Sequence, residues 1–272
     1  KIRLKFRGHS KIRSIQRQLY MNNIQGIINR ERICIIIPTY NNEGTITDIL
    51  RRIMKYTNNI IIINDGCTDH TKEILEKLND PNIIIINNKR NRGKGISLKE
   101  GFKAAIYHGY EYAITIDANR QHFPEDIPLF IETFLKNKGA IIIGERTLNP
   151  GITRQGNNFT TKFSNFWFHL QTGIKMKDTQ CGYRLYPLTL SHSGMIITSR
   201  YESELEFLVF SAWRNIPIVS VPVRIYYPLK EKKNSHFRPF YDFLRISVLN
   251  TILTIAAILY FIPKRKIKRF KS

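Results

Sequence analysis

The chain reads as an α/β protein built on a mostly parallel sheet with helices on both faces. Short, continuously apolar, Ile-rich runs recur between residues 33 and 143, and stretches of helical spacing separate them. Apolar residues fill 42% of the 272 positions, enough for the packed core of one large domain. Polar, often glycine-bearing loops follow the ends of the runs, where open parallel sheets hold their ligands.

The elements follow in order. Ile33–Ile37 ends at Pro38 and reads as a strand buried on both faces. Thr45–Tyr56 follows as a helix, with Ile46, Ile49, Leu50 and Ile53 on one face. Ile60–Ile63, Ile83–Ile86, Ala113–Ile116 and Ala140–Ile143 read as further strands. Thr71–Leu78, Gly95–His108 and Glu125–Asn137 are the helices between them. The alternation loosens near residue 145. Phe159–Gln171 and Glu202–Arg214 still read as helices, and Ile216–Tyr227 is extended, with Pro217 and Pro222 confining it to a sheet edge or a bulge. The expected division is a basic arm over 1–31, a catalytic-type domain over 32–228 and a membrane-associating segment over 229–272.

Charge separates the ends from the middle. The net charge is +22; residues 1–32 carry nine Lys/Arg against one acid, and residues 228–272 carry eleven against two. Such ends suit an anionic membrane surface or nucleic acid. Between the basic stretches, Ile246–Pro263 has no charged residue, and its 18 residues are near the lower limit of a membrane span. Ser247, Asn250, Thr251 and Thr254 form a weakly polar face, and both flanks are basic, against the orientation rule for a single span. An apolar helix lying in the interface, or re-entering it, is therefore expected over a span, with a buried C-terminal helix as the alternative. The apolar run beside a basic tail favours membrane over nucleic acid. Residues 1–31 lack the continuous apolar stretch of a secretory signal. Cys34, Cys67 and Cys181 are odd in number and widely spaced, which points away from a disulfide framework or zinc site and towards a reducing compartment.

Four loops carry chemistry. Pro38–Gly44, Asn64–Asp69 and Asn91–Gly95 each follow a strand and open a helix. In the third, backbone amides, the helix dipole and Lys94 suit phosphate oxygens. The fourth, within ITIDANRQHFPED, delivers Asp117, Asn119 and Gln121 at alternate positions, an all-oxygen set that suits Mg²⁺ or Mn²⁺. Each loop has a plain reading as a turn, since Asp, Asn and Gly favour turns for their own reasons. Together they fit a phosphate-bearing nucleotide with a divalent cation.

The segments IIIPTYNNEGTI, IIINDGCTDHT, NRGKGISLKEG, IDANRQHFPEDI and DTQCGYRLYP, in this order, resemble the motifs of family 2 glycosyltransferases over roughly residues 32–228. The likeness is greatest to the branch with dolichyl- and polyprenyl-phosphate sugar synthases. It implies a GT-A fold, a nucleotide-sugar donor, Mg²⁺ or Mn²⁺, and inversion at the anomeric carbon. By that resemblance Pro38, Tyr40 and Glu43 line the nucleotide pocket, Asp65 meets the base or ribose, and Lys94 lies near the donor. Asp117, Asn119 and Gln121 fall on the metal-binding positions, and Arg184 on one that holds the diphosphate leaving group. Asn119 stands where the family usually has a second Asp, which implies weaker metal affinity.

A phosphate acceptor needs no general base, whereas a hydroxyl acceptor does, and Asp178 and Glu204 are the candidates. Glu204 also reads as part of a solvated face with Glu202 and Glu206. His122 and His236 read as structural. Ser235–Phe240 resembles a segment following the core in some bacterial relatives and suits a lipid headgroup. The expected activity is sugar transfer to a lipid-phosphate-type acceptor at the cytoplasmic face of a membrane. The alternatives are transfer to a saccharide hydroxyl and a catalytically weak membrane- or nucleic-acid-binding protein.

Overall fold

The computed structural model describes residues 19–78, 80–147, 158–189, 198–226 and 239–261. Helix α1 covers 19–30 and buries Ile24, Ile27 and Ile28. Then β1 (Ile33–Thr39), α2 (Ile46–Ile53), β2 (Ile60–Asn64), α3 (Thr71–Glu76), β3 (Ile83–Asn87), α4 (Lys94–Tyr107), β4 (Tyr112–Thr115), α5 (Ile127–Lys136) and β5 (Ile141–Thr147) alternate as the periodicity predicts. The second half adds α6 (Asn158–Thr172), β6 (Arg184–Pro187), α7 (Glu202–Trp213), β7 (Ile218–Arg224) and α8 (Pro239–Ala256).

The strands form one sheet in the order β3-β2-β1-β4-β6-β5-β7. The pairs β3–β2, β2–β1, β1–β4 and β5–β7 are parallel, and β6 runs antiparallel to both β4 and β5. The chain lays β1, β2 and β3 outward, then returns to set β4 on the other side of β1. That reversal opens a crevice at the C-terminal ends of β1 and β4, the usual ligand position in such sheets. Every isoleucine of β1 and β2 is buried, each side chain contributing roughly 1.5–3 kcal/mol of transfer free energy. Strand β7, with Pro222, lies at the sheet edge, where a proline is tolerated.

Strand β6 has no counterpart in the sequence reading. Its four residues begin with a charged side chain and end in proline, and the neighbours of an antiparallel insertion leave no local signature. Helix α8 starts at Pro239 rather than at Ile246. Among the described residues no helix is long and apolar enough to cross a membrane. One face of α8 joins the domain core through Ile246, Leu249 and Leu253, as Ile24, Ile27 and Ile28 of α1 also do. The basic stretches 1–18, 227–238 and 262–272, with His236 and most of the Ser235–Phe240 segment, lie outside the described residues.

Candidate active site at the reversal of the sheet

A cavity of about 260 Å³ lies in that crevice, lined by Pro38 near the end of β1 and Tyr40 just after it, Asp65 after β2, Lys94 at the start of α4, and Asp117, Asn119 and Gln121 after β4. Sequence-distant Gln180, Arg200, Tyr201 and Glu204 complete it. A second cavity of about 250 Å³ shares Gln180, Tyr201 and Glu204 with the first and adds Arg146, Arg184, Leu205 and Ile246.

The phosphate-suited loop is held from below. Asp65 is buried and accepts hydrogen bonds from the backbone N–H groups of Arg92 (3.0 Å) and Gly93 (2.8 Å) and from Asn88 Nδ2 (3.1 Å). It therefore fixes the turn that launches α4 as well as lining the cavity. Gly93 has φ +96°, and a β-carbon there would stand 2.7 Å from the carbonyl oxygen of Ser199, so a side chain is excluded twice over. Asn42 lines the same cavity; its Nδ2 donates to the carbonyl of Tyr40 at 3.0 Å, which leaves Oδ1 buried without a protein partner. A buried acceptor of this kind is a ready contact for a donor group on a nucleotide.

At the centre stands a three-charge cluster. Lys94 Nζ lies 2.7 Å from Asp117 Oδ1 and 3.0 Å from Glu204 Oε2, with the Lys94 side chain 12% exposed. Burial opposes the charge on Lys94, but the two carboxylates more than offset this and hold its pKa above the ordinary lysine value. Burial likewise pushes the Asp117 carboxyl up, and Lys94 together with His122 brings it below the usual range. The Cα of Gly182 closes over the cluster: an added β-carbon would lie 2.6 Å from Lys94 Nζ, 3.2 Å from Asp117 Oδ2 and 3.3 Å from Glu204 Oε1. The glycine of the QCGYR segment is thus required by packing on charged groups.

Most of the expected site residues meet in the crevice, but four expectations need correction. Glu43 is not in the cavity; it is exposed, accepts the backbone N–H of His70 at 3.0 Å and lies 2.8 Å from its Nδ1, tying the β1 loop to the start of α3. Arg184 is fully buried and donates to the carbonyls of Cys181 (2.6 Å), Thr179 (2.9 Å) and Glu204 (2.7 Å). It pins β6 to the start of α7, so its guanidinium is committed to backbone rather than to a leaving diphosphate. Asp178 is gripped by both Arg146 Nε and Arg146 Nη2, the latter at 2.7 Å, which positions Arg146 and does not suit a free general base. Glu204 is not on a solvated face: Glu202, Glu204 and Glu206 are all buried, held by Arg245, Lys94 and Thr198 respectively.

The residues that sequence reading passed over are Arg146, Arg200 and Tyr201. Arg146 is the penultimate residue of β5, where the rule on strand ends could have found it. Arg200 and Tyr201 precede a helix packed across from a different strand, and no local pattern marks them.

Asp117, Asn119 and Gln121 all line the larger cavity, and their side-chain oxygens are of the kind a hard divalent cation takes. Asn119 Oδ1 also accepts the backbone N–H of Gln121 at 3.1 Å, so it closes its own turn and keeps one lone pair for another partner.

A doubly wound sheet with a phosphate-suited helix start and an oxygen-rich turn at its reversal has the plan of a nucleotide-binding α/β enzyme. Comparison with known proteins gives the family: Glycosyl transferase family 2 matches residues 34–190, and the chain belongs to it. The UDP-N-acetylglucosamine–dolichyl-phosphate N-acetylglucosaminyltransferase of Methanococcus voltae is 28% identical over 218 residues, covering 72% of this chain and 86% of that protein. A dolichyl-phosphate β-glucosyltransferase of Trichomonas vaginalis is 26% identical over 243 residues, covering 79% and 73%. Glucosyl-3-phosphoglycerate synthase from Mycobacterium tuberculosis, solved with Mn²⁺, UDP-glucose and phosphoglyceric acid, matches with a TM-score of 0.64 at 15% identity over 87% of this chain and 83% of that one. That last likeness shows the fold, which is GT-A, and the same synthase has also been solved with Mg²⁺ and UDP. The chain is a glycosyltransferase.

Proposed function

We propose that the protein transfers a sugar from a nucleotide-sugar donor in the larger cavity to the phosphate of a polyprenyl-type lipid entering the second, at a membrane surface. The observation that carries this reading is the pair of cavities that share Gln180, Tyr201 and Glu204 in their walls. The second combines a cation, Arg146, with apolar Leu205 and Ile246, as a phosphate on a hydrocarbon chain requires. The carboxylates Asp117, Glu204 and Asp178 are each held by a cation, which favours an acceptor that is already ionised over a hydroxyl that needs a base.

The start of α4 and Lys94 bind and orient the donor phosphates, and Asp65 keeps that loop in place. Asp117, Asn119 and Gln121 would hold Mg²⁺ or Mn²⁺, which supplies charge stabilisation for the departing nucleoside diphosphate. Arg146, oriented by Asp178, steers the acceptor phosphate. The names of the dolichyl-phosphate relatives support this acceptor class.

Helix α8 supports the membrane setting because its outward face is apolar as well as its inward one. Asn250 is buried, receiving Gln171 Nε2 at 3.1 Å, while Leu244, Val248, Ile252 and Ile255 are all more than half exposed, as is Leu259 in the turn that follows. Apolar residues turned outward, between sequence stretches rich in Lys and Arg, suit an interface helix on anionic lipid. The test incubates the full chain with Mn²⁺, polyprenyl-phosphate vesicles and a panel of labelled nucleotide sugars, followed by organic extraction. Label in the organic phase is expected; label only in water-soluble product refutes the lipid acceptor.

A further inference from the structure

We infer that Lys94 competes with the divalent cation for Asp117 and transfers to the donor phosphates when a nucleotide binds, so that metal and donor enter the site as a pair. This rests on the nucleotide-sugar reading above and adds the residue that couples the two ligands. Asp117 is the only negatively charged side chain of the three metal-suited positions, because the other two are the amides Asn119 and Gln121. That one charge is already engaged, since Lys94 Nζ bridges Asp117 Oδ1 at 2.7 Å and Glu204 Oε2 at 3.0 Å. A cation arriving at Asp117 meets an ammonium within hydrogen-bond distance of its ligand, in a crevice where charges are poorly screened.

Lys94 also has somewhere to go. It occupies the first turn of α4, whose start faces the same cavity, and its long aliphatic stem lets the ammonium swing without backbone movement. A diphosphate at the helix start offers Lys94 at least as much negative charge as Asp117 does. Glu204 completes the arrangement, because its Oε1 is buried without a partner and holds the ammonium only through Oε2. The cluster is thus built to exchange one counter-ion for another, and Gly182 leaves it no room for additional atoms.

The test is a Mn²⁺ titration of the full chain, read by the electron paramagnetic resonance of free Mn²⁺, with and without UDP. Wild type is expected to bind Mn²⁺ weakly alone. Lys94→Met is expected to bind it about tenfold or more tightly without UDP, the effect of removing a like charge at short range, and to gain less from added UDP. Lys94→Gln, which keeps a neutral hydrogen-bond donor beside the carboxylates, should show the same gain. Lys94→Arg should resemble wild type. Arg120→Gln removes a neighbouring cation that pairs with Asp48 instead, and should change Mn²⁺ affinity less than about twofold. Unchanged Mn²⁺ affinity in both neutral Lys94 variants, with UDP binding intact, overturns the competition alone. An equal gain in Arg120→Gln overturns it too, by reducing it to bulk charge. Failure of wild type to bind UDP with Mn²⁺ overturns the donor reading and the pairing with it.

Discussion

Replacing Gly182 with alanine tests the three-charge cluster at its tightest point. The new β-carbon would lie 2.6 Å from Lys94 Nζ, inside any ordinary contact distance. The backbone has little room to retreat, because the Gly182 carbonyl accepts Thr115 Oγ1 at 2.9 Å and ties the segment to β4. Lys94 must therefore leave at least one carboxylate. Stripping a buried charge of its only partner costs about 3–5 kcal/mol, but Lys94 retains a second carboxylate, and the cavity admits water. The expected loss is that of an overfilled site, about 1–3 kcal/mol. At roughly 2–4 °C per kcal/mol for a domain of this size, the melting temperature should fall by a few degrees up to about 10 °C. Thermal unfolding followed by circular dichroism reads the stability, and UDP binding in the presence of Mn²⁺ reads the site. A matched control is Gly26→Ala in α1, where an added carbon meets nothing within 4 Å; it should raise stability by about 0.5–1 kcal/mol. If Gly182→Ala keeps its melting temperature within about 1 °C and its UDP affinity unchanged, the account of the cluster is wrong.

Asn119→Asp restores a second carboxylate to the metal turn and should tighten Mn²⁺ binding about tenfold; an unchanged metal requirement would sink the reading of Asn119. Burial lowers the pKa of His122 from 6.5 to about 4. The unfolded chain therefore takes up this proton at higher pH than the folded one, and stability is full above pH 6.5 and lost as pH falls towards 4. The ceiling is about 3 kcal/mol, at about 1.4 kcal/mol per tenfold change in proton affinity. His122→Phe should flatten the melting temperature across that window, and an unaltered pH profile refutes the assignment. Ile252→Glu combined with Ile255→Glu places charge on the outward stripe of α8 and should weaken binding to anionic vesicles at least about tenfold, with melting unchanged because both side chains are more than half exposed. Undiminished vesicle binding would show that α8 is not the docking face.

The parallel half of the sheet was legible because it is written locally. A run such as Ile60–Ile63 can only be a strand buried on both faces, and the loop after it must then sit at the ligand edge. The same logic placed Asp65, Lys94 and Asp117 at the ligand edge, where all three line the cavity, since each follows a strand end or opens a helix. Glu43 obeys that rule too and still misses the cavity, because its partner, the start of α3, lies on the surface. Periodicity fixes which face of an element is apolar and says nothing of which loop its polar residues will meet. Arg184 and Asp178 illustrate the second limit: a charged residue in a motif looks chemical until the fold reveals carbonyls or a countercharge around it.

Sequence by itself determined the parallel strands β1 to β4, the order of their ligand loops and the family motifs, because each depends on spacing within a few residues. Tertiary structure decided what Lys94, Glu204 and Gly182 do. These residues are far apart along the chain, and only the insertion of β6 between β4 and β5 brings the QCGYR glycine and the start of α7 against the start of α4. Charge pairing across such distances is a property of packing, and no local pattern encodes it. The same holds for α8: its sequence supplied an apolar helix, and packing against α6 and α7 decided that Ile246 and Asn250 turn inward and Ile252 and Ile255 outward.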